Sequence, residues 1–320
     1  MTRPLVHVTR RLPEVVERQL AEHFDLQLNV RDTPSDPDTL VRALAAADAL
    51  LCTVTDRLDG AVLRAAEPLR ARILANFGVG YNHVDVATAR ALGLVVTNTP
   101  GVLTEDTADV ALALILMAAR RLGEGERQLR AGAWPGWSPT HLLGMSLGGR
   151  TLGVVGYGRI GQALARRARL GLGMHVRFVT RTPRPADDVA SPAESLDALL
   201  AESDVVSVHA PATAETRHLI DAAALGRMQR HAVLVNTARG DLVDEEALAD
   251  ALRRGTIAAA GLDVYEREPR VPPALVGLEN VVLLPHLGSA TDATRQAMGD
   301  RALANLAAFF DGAEPPDRVA

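Results

Sequence analysis

Val154-Val155-Gly156-Tyr157-Gly158-Arg159-Ile160-Gly161 joins an almost wholly apolar run, residues 151–155, to a stretch of helical periodicity. A continuous apolar run is what a strand covered on both faces requires. The three glycines have separate tasks. Gly156 permits a tight turn, Gly158 lets the backbone approach a pyrophosphate, and Gly161 lets the helix lie close to the strand. The N–H groups that open the helix, among them those of Arg159 and Ile160, then face the phosphates. A glycine-rich turn alone is a weak signal. Here a strand precedes it, a helix follows, and four more strand–helix units come after. FAD competes for the same kind of loop, but FAD loops usually lie near a chain start and this one lies mid-chain. The loop therefore reads as a nicotinamide-dinucleotide turn.

Outward from the loop, the alternation fills the whole chain. Strands are expected at 5–8, 49–54, 73–76, 95–97, 151–155, 176–180, 205–209, 232–236, 258–262 and 281–284, with helical stretches such as 13–23, 37–46, 84–92, 104–122 and 291–311 between or after them. Alternating strand and helix implies an α/β protein with doubly wound parallel sheets. Two punctuated joints, Asn98-Thr99-Pro100-Gly101 and Pro285-His286-Leu287-Gly288, each follow a strand and precede a long helix. They divide the chain into two Rossmann-like domains. Residues 1–98 plus 287–320 form a flavodoxin-like substrate domain, 99–286 a dinucleotide domain, and the substrate is expected in the cleft between them.

Composition narrows the function. A formal net charge of −5 argues against a nucleic-acid or anionic-membrane binder. Cys52 is the only cysteine, so no internal disulfide and no Cys-based zinc or iron–sulfur site is available. The histidines lack metal-ligand spacing with carboxylates, and no metal is expected. There is no lysine, which excludes a lysine Schiff base and a Walker-type phosphate loop. The longest apolar stretch, 110–119, is too short to span a bilayer. The N-terminus has no secretory pattern. A cytoplasmic location is expected.

The strand after the glycine turn ends Phe178-Val179-Thr180-Arg181-Thr182-Pro183-Arg184. An acidic residue here would grip the ribose 2′-hydroxyl of NAD and repel a 2′-phosphate. Thr180 stands in its place, with Arg181 and Arg184 beyond. A hydroxyl beside guanidinium groups attracts a phosphate through charge-assisted hydrogen bonds. NADP(H) is thus the expected cofactor, with NAD(H) the alternative. The plainer reading makes Arg181 and Arg184 solvated surface residues partly neutralised by Asp187 and Asp188.

Three strand ends carry unusual polar residues: Asn236-Thr237-Ala238-Arg239-Gly240, Asp263-Val264-Tyr265-Glu266-Arg267-Glu268-Pro269, and Pro285-His286-Leu287-Gly288-Ser289. In open α/β sheets ligands bind beyond the carboxyl ends of strands, so Arg239, Glu268 and His286 are expected to meet. The competing readings are a turn histidine at 286 and a structural salt-bridge arginine at 239.

Over essentially its whole length the sequence resembles the D-specific 2-hydroxyacid dehydrogenases, with the motifs in that family's order. The segment Asn76-Phe77-Gly78-Val79-Gly80-Tyr81-Asn82-His83-Val84-Asp85 resembles its substrate loop. Asn98 to Pro100 and Thr104-Glu105-Asp106-Thr107-Ala108-Asp109 resemble its interdomain connection. Thr180-Arg181 with Arg184, and Trp134-Pro135-Gly136-Trp137, bring it nearest the glyoxylate/hydroxypyruvate reductases. Two departures stand out: the usual Asp after the glycine turn is missing, and Asp109 stands where many relatives carry Glu.

The resemblance implies His286 as proton donor, Glu268 as its orienter, and Arg239 as clamp for the substrate carboxylate. The backbone N–H groups of Val79 and Gly80 would hold the other carboxylate oxygen. Glu266 is the local rival of Glu268, which is preferred for its place before Pro269. The cofactor set expected is Thr104, Gly156, Gly158, Arg159, Ile160, Gly161, Thr180, Arg181, Arg184, His209, Ala210, Pro211, Thr237, Ala238, Asp263, His286 and Gly288. Trp137, with Trp134 as the other candidate, would reach the partner's active site in a homodimer.

The physics agrees with these roles. Reducing a keto group needs a proton for the developing alkoxide, and a protonated imidazole steadied by a carboxylate supplies one. A guanidinium both binds a carboxylate and polarises a keto oxygen. The function expected is NADPH-dependent reduction of glyoxylate or hydroxypyruvate. The alternatives are a reductase for D-lactate-, phenylpyruvate- or 3-phosphoglycerate-type acids, or a nucleotide-sensing corepressor on the same fold. Glu268 in place of Gln argues against the formate dehydrogenase branch.

Overall fold

The computed structural model describes residues 3–320. They divide into two compact units, one running to Leu103 and resuming at Ala290–Ala320, the other Thr104–Ser289.

In the first unit β1 (Leu5–Val8), α1 (Glu14–His23), β2 (Asp25–Leu28), α2 (Pro37–Ala46), β3 (Ala49–Cys52), α3 (Gly60–Ala65), β4 (Ile73–Asn76), α4 (Val86–Ala91) and β5 (Val95–Thr97) follow one another. The strands lie parallel in the order β2-β1-β3-β4-β5, the flavodoxin-like doubly wound order. β3 and β4 are buried at every residue, as strands sandwiched between helices must be. Asp36, Asp59 and Asp85 cap α2, α3 and α4 by accepting first-turn N–H groups. β2 escapes the sequence reading because it is an edge strand with only Leu26 and Leu28 turned partly inward.

The second unit opens with α5 (Thr104–Ala119) and α6 (Leu122–Arg130). One helix over 104–122 is expected from the pattern, but Arg121 adopts a left-handed φ of 55° and breaks it. Then come β6 (Thr151–Val155), α7 (Arg159–Leu172), β7 (His175–Val179), β8 (Ser191–Pro192), α8 (Leu196–Glu202), β9 (Val205–Val208), α9 (Ala222–Arg227), β10 (Val233–Asn236), α10 (Glu245–Arg254), β11 (Ala259–Leu262), α11 (Pro273–Val276) and β12 (Val281–Leu283). The parallel sheet runs β12-β11-β10-β9-β6-β7-β8. Side chains of β10 alternate between two cores. Val233 and Val235 join Leu114, Ile115 and Leu164 on one face, and Leu234 joins Leu199, Leu248 and Leu252 on the other. From β6 the chain proceeds outward to β7 and β8, then returns to β9 on the opposite side. The switch point therefore lies between β6 and β9. No described helix is long and apolar enough to cross a membrane.

α12 (Asp292–Phe310) rejoins the first unit, capped by Thr291. The division falls a few residues beyond the joints expected at 98 and 286, for a local reason. Thr99 N–H still donates to Gly78 O of the first unit, at 3.1 Å. The Leu287 and Gly288 N–H groups donate to Asp263 of the second.

Candidate active site

Parallel pairing puts the carboxyl ends of β6, β7, β9, β10, β11 and β12 on one edge of the second sheet. β10 ends at Asn236, whose amide closes the following turn. Its Nδ2 donates to Arg239 O at 2.8 Å and its Oδ1 accepts from Ala238 N–H at 3.0 Å. Arg239 is half-buried, and its Nη1 donates to Ala238 O at 2.7 Å. Dense surroundings lower its pKa, while the charges of Glu268 and Asp241 oppose that shift. Gly240 lies directly on the Tyr265–Glu266 peptide, so a Cβ there would overlap it. The turn carrying Arg239 is thus packed on the segment carrying Glu268.

Glu268 is held at both oxygens. Oε1 accepts from Tyr265 N–H at 3.0 Å, and Oε2 faces His286 Nδ1 at 2.8 Å. Burial works to raise its pKa. His286, the Tyr265 N–H and Arg239 outweigh burial and hold the carboxyl below its ordinary value. With Nδ1 committed to Glu268, Nε2 is the imidazole nitrogen left to exchange a proton with a ligand.

His286 sits at a left-handed φ of 57°. Asp263 holds it there. His286 N–H donates to Asp263 O at 2.9 Å, and the fully buried carboxylate accepts Leu287 N–H at 2.7 Å and Gly288 N–H at 2.8 Å. Burial raises the Asp263 pKa, and these N–H groups with His286 pull the other way. Asp263, expected on the cofactor side, holds the backbone of the His286 loop in this structure.

Glu266 turns elsewhere: it pairs with Arg217 at 2.5 Å and with His218 at 3.4 Å. Two supports escape the sequence reading. Buried Glu245 accepts Glu266 N–H at 2.9 Å, and the Tyr265 hydroxyl donates to Leu284 O at 2.9 Å. Asp244-Glu245 reads as an ordinary helix start, and Asp244 does cap α10. Nothing local signals that Glu245 reaches across to residue 266.

At the switch point Gly156 has φ +98°, and a Cβ would meet Ala210 N at 2.6 Å. At Gly161 a Cβ would collide with Gly156 O, whereas at Gly158, the N-cap of α7, it would meet open space. The glycine tasks expected from sequence have these structural counterparts. His209, the residue after β9, donates its N–H to Val155 O of β6 at 2.7 Å, with Ser207 Oγ 2.8 Å from its Nε2. Although His209 keeps some accessible surface, its surroundings strip the ring of solvation and lower its pKa to about 4. Ala210 and Pro211 follow it. Thr237 is buried, and its Oγ1 has no partner among the described residues. Thr180 is half-buried, and Arg181 and Arg184 are exposed. Thr104 opens α5, and Thr107 Oγ1 donates to Gly288 O at 2.9 Å.

In the first unit Asn76 donates to Gly78 O at 2.8 Å and Gly80 O at 3.0 Å, and Asn98 donates to Val79 O at 2.9 Å. With its carbonyls engaged, the 78–80 loop has donors left to offer, the N–H groups of Val79 and Gly80, both half-buried residues. Trp137 and Trp134 are 83% and 51% exposed. No group of three or more His, Cys, Asp or Glu fit to hold a metal occurs among the described residues.

Residues 112–288 match the family model of the D-isomer specific 2-hydroxyacid dehydrogenases, NAD binding domain. The chain is 47% identical to a glyoxylate reductase of Korarchaeum cryptofilum, over 99% of this chain and 96% of that one. Among solved structures it is similar to an NADPH-dependent glyoxylate/hydroxypyruvate reductase of Sinorhizobium meliloti in complex with NADP and malonate. That similarity is 39% in identity, with TM-score 0.89, over 100% of this chain and 97% of that one. A glyoxylate reductase from Paecilomyes thermophila gives 32% identity and TM-score 0.88, over 100% and 99%.

Proposed function

This chain belongs to the D-isomer specific 2-hydroxyacid dehydrogenase family, and from that premise we propose that it reduces glyoxylate and hydroxypyruvate to D-2-hydroxy acids with NADPH. Family membership makes it an oxidoreductase with a nicotinamide-dinucleotide-binding domain. The observation that carries the finer reading is the His286–Glu268 pair, 2.8 Å apart on the strand edge that also bears Arg239.

The residues present suit a dinucleotide. Open space at Gly158, the uncapped first turn of α7 and the orphaned Thr237 hydroxyl are what a pyrophosphate and its sugars would use. The bound reduced nicotinamide supplies the hydride. The chain's own residues do the rest. His286 delivers a proton from Nε2 to the developing alkoxide, and Glu268, 2.8 Å from Nδ1, fixes the orientation of the ring. Arg239 anchors the substrate carboxylate and polarises the keto oxygen. The Val79 and Gly80 N–H groups of the first unit are donors of the kind that suits a carboxylate.

Cofactor choice rests on Arg181 and Arg184, which follow a strand end without a carboxylate. The wild type is expected to show kcat/KM at least about tenfold higher with NADPH than with NADH, the worth of one charge-assisted hydrogen bond. Arg181→Ala should shrink that ratio. An equal or better value with NADH defeats the cofactor assignment, and no turnover across a panel of 2-keto acids defeats the enzymatic reading in favour of a nucleotide sensor.

The exposed Trp134 and Trp137 support a homodimer in which one tryptophan serves the partner's site. Light scattering should give twice the 34.0 kDa chain mass, and Trp137→Ala should raise KM for the keto acid. A monomer with full activity rules this out.

A further inference from the structure

Tyr157 stands between the first two glycines of the dinucleotide turn, yet it faces inward and is 3% exposed. Its ring stacks on Phe178 of β7, centroids 4.0 Å apart and planes 8° from parallel. A phenylalanine would stack equally well. What the hydroxyl adds is one hydrogen bond, donated to Asp187 Oδ2 at 2.9 Å.

Asp187 organises the loop that leaves β7 and returns at β8. Its Oδ1 accepts Val189 N–H at 2.9 Å and Ala190 N–H at 2.8 Å, and its own N–H donates to Ala190 O at 3.0 Å. The loop's base is fixed where Arg177 and Phe178 pair with Ser191 and Pro192. Its outer arm, residues 181–188, is exposed throughout and carries Arg181 and Arg184. Arg184 and Arg166 both act electrostatically on the Tyr157 hydroxyl, which places that arm's charge near the bond.

We propose that Tyr157 is a positioning residue for cofactor selectivity: through Asp187 its hydroxyl pins the 181–188 arm so that Arg181 and Arg184 are presented together to a ribose 2′-phosphate. The inference rests on the NADPH reading above. Released from the pin, the exposed arm samples more conformations, and ordering it on the phosphate costs affinity. The cost falls on the cofactor that carries the 2′-phosphate.

The test uses the full chain as wild type, Tyr157→Phe and Arg181→Ala. Initial rates with glyoxylate are measured against NADPH and NADH, and binding of 2′-AMP is measured by competition. The stacked ring is kept in Tyr157→Phe, so the core has no cavity to collapse. Its NADPH-to-NADH ratio of kcat/KM is expected to fall about three- to tenfold, the worth of one partly buried hydrogen bond. The fall should come from KM for NADPH and be matched by weaker 2′-AMP binding. A ratio unchanged in Tyr157→Phe but lowered in Arg181→Ala overturns the role of Tyr157 and leaves the NADPH reading intact. Equal loss with both cofactors reduces Tyr157 to a packing residue and also overturns it. A wild type that prefers NADH removes the reading itself.

Discussion

Replacing His286 with alanine leaves NADPH bound and removes most of the turnover, lowering kcat by about 10²- to 10⁴-fold, the span that a positioned proton donor contributes. Three features of the site lead to that expectation. Nδ1 is taken up by Glu268 at 2.8 Å, so Nε2 is the nitrogen free to serve the substrate oxygen. The phosphates of the cofactor are expected at the β6 turn, which the substitution does not touch. The loop of residue 286 is fixed through backbone groups onto Asp263, so its path survives loss of the ring. Fluorescence titration with NADPH and single-turnover rates separate binding from chemistry. Glu268→Gln should lower kcat less than His286→Ala does, because an amide can still orient Nδ1 but carries no charge. The double variant should be no worse than His286→Ala alone, since both act through one imidazole. Wild-type rates from His286→Ala would remove the proton-donor assignment.

Arg239→Ala is expected to lower kcat/KM for glyoxylate by about 10³-fold, with KM raised and kcat reduced together. Loss of a single donor to a developing oxyanion costs about 10²- to 10³-fold in kcat, and loss of the carboxylate anchor adds to KM. The guanidinium is half-buried and set on a turn that Asn236 closes from both sides, so it is pre-organised before any ligand arrives. Arg239→Lys should not restore the rate, because an ammonium cannot bridge two oxygens in one plane. Stopped-flow traces with varied glyoxylate check both parameters. A variant with altered KM and untouched kcat would make Arg239 a binding group alone.

Fold and site were legible to different depths. The glycine turn could be read closely because its spacing recurs where a strand turns into a dinucleotide-binding helix: Gly161 meets Gly156 O five residues back, and Gly156, whose partner Ala210 is remote in sequence, is marked by the same pattern. Buried strands such as β4 and β10 announce themselves as apolar runs, whereas the edge strand β2 does not, having half its residues in solvent. The break at Arg121 is invisible because a left-handed arginine leaves no mark on periodicity. Among site residues, Arg239, Glu268 and His286 stand out as polar groups at the ends of apolar strands. Glu245 and the Tyr157–Asp187 bond do not, because their meaning lies in partners 21 and 30 residues away. A side chain whose role is to hold another is set by tertiary contacts, which local pattern does not encode.

The backbone at His286 bears on how the protein tolerates change. A φ of 57° costs any residue with a Cβ on the order of 1–2 kcal/mol relative to glycine. Backbone geometry taken by itself would thus favour glycine at this position, a replacement that on the proposed mechanism removes the proton donor. A mutagenesis campaign screened only for heat resistance would drift toward an inert enzyme at this residue, and a screen for turnover would hold the imidazole against that pull.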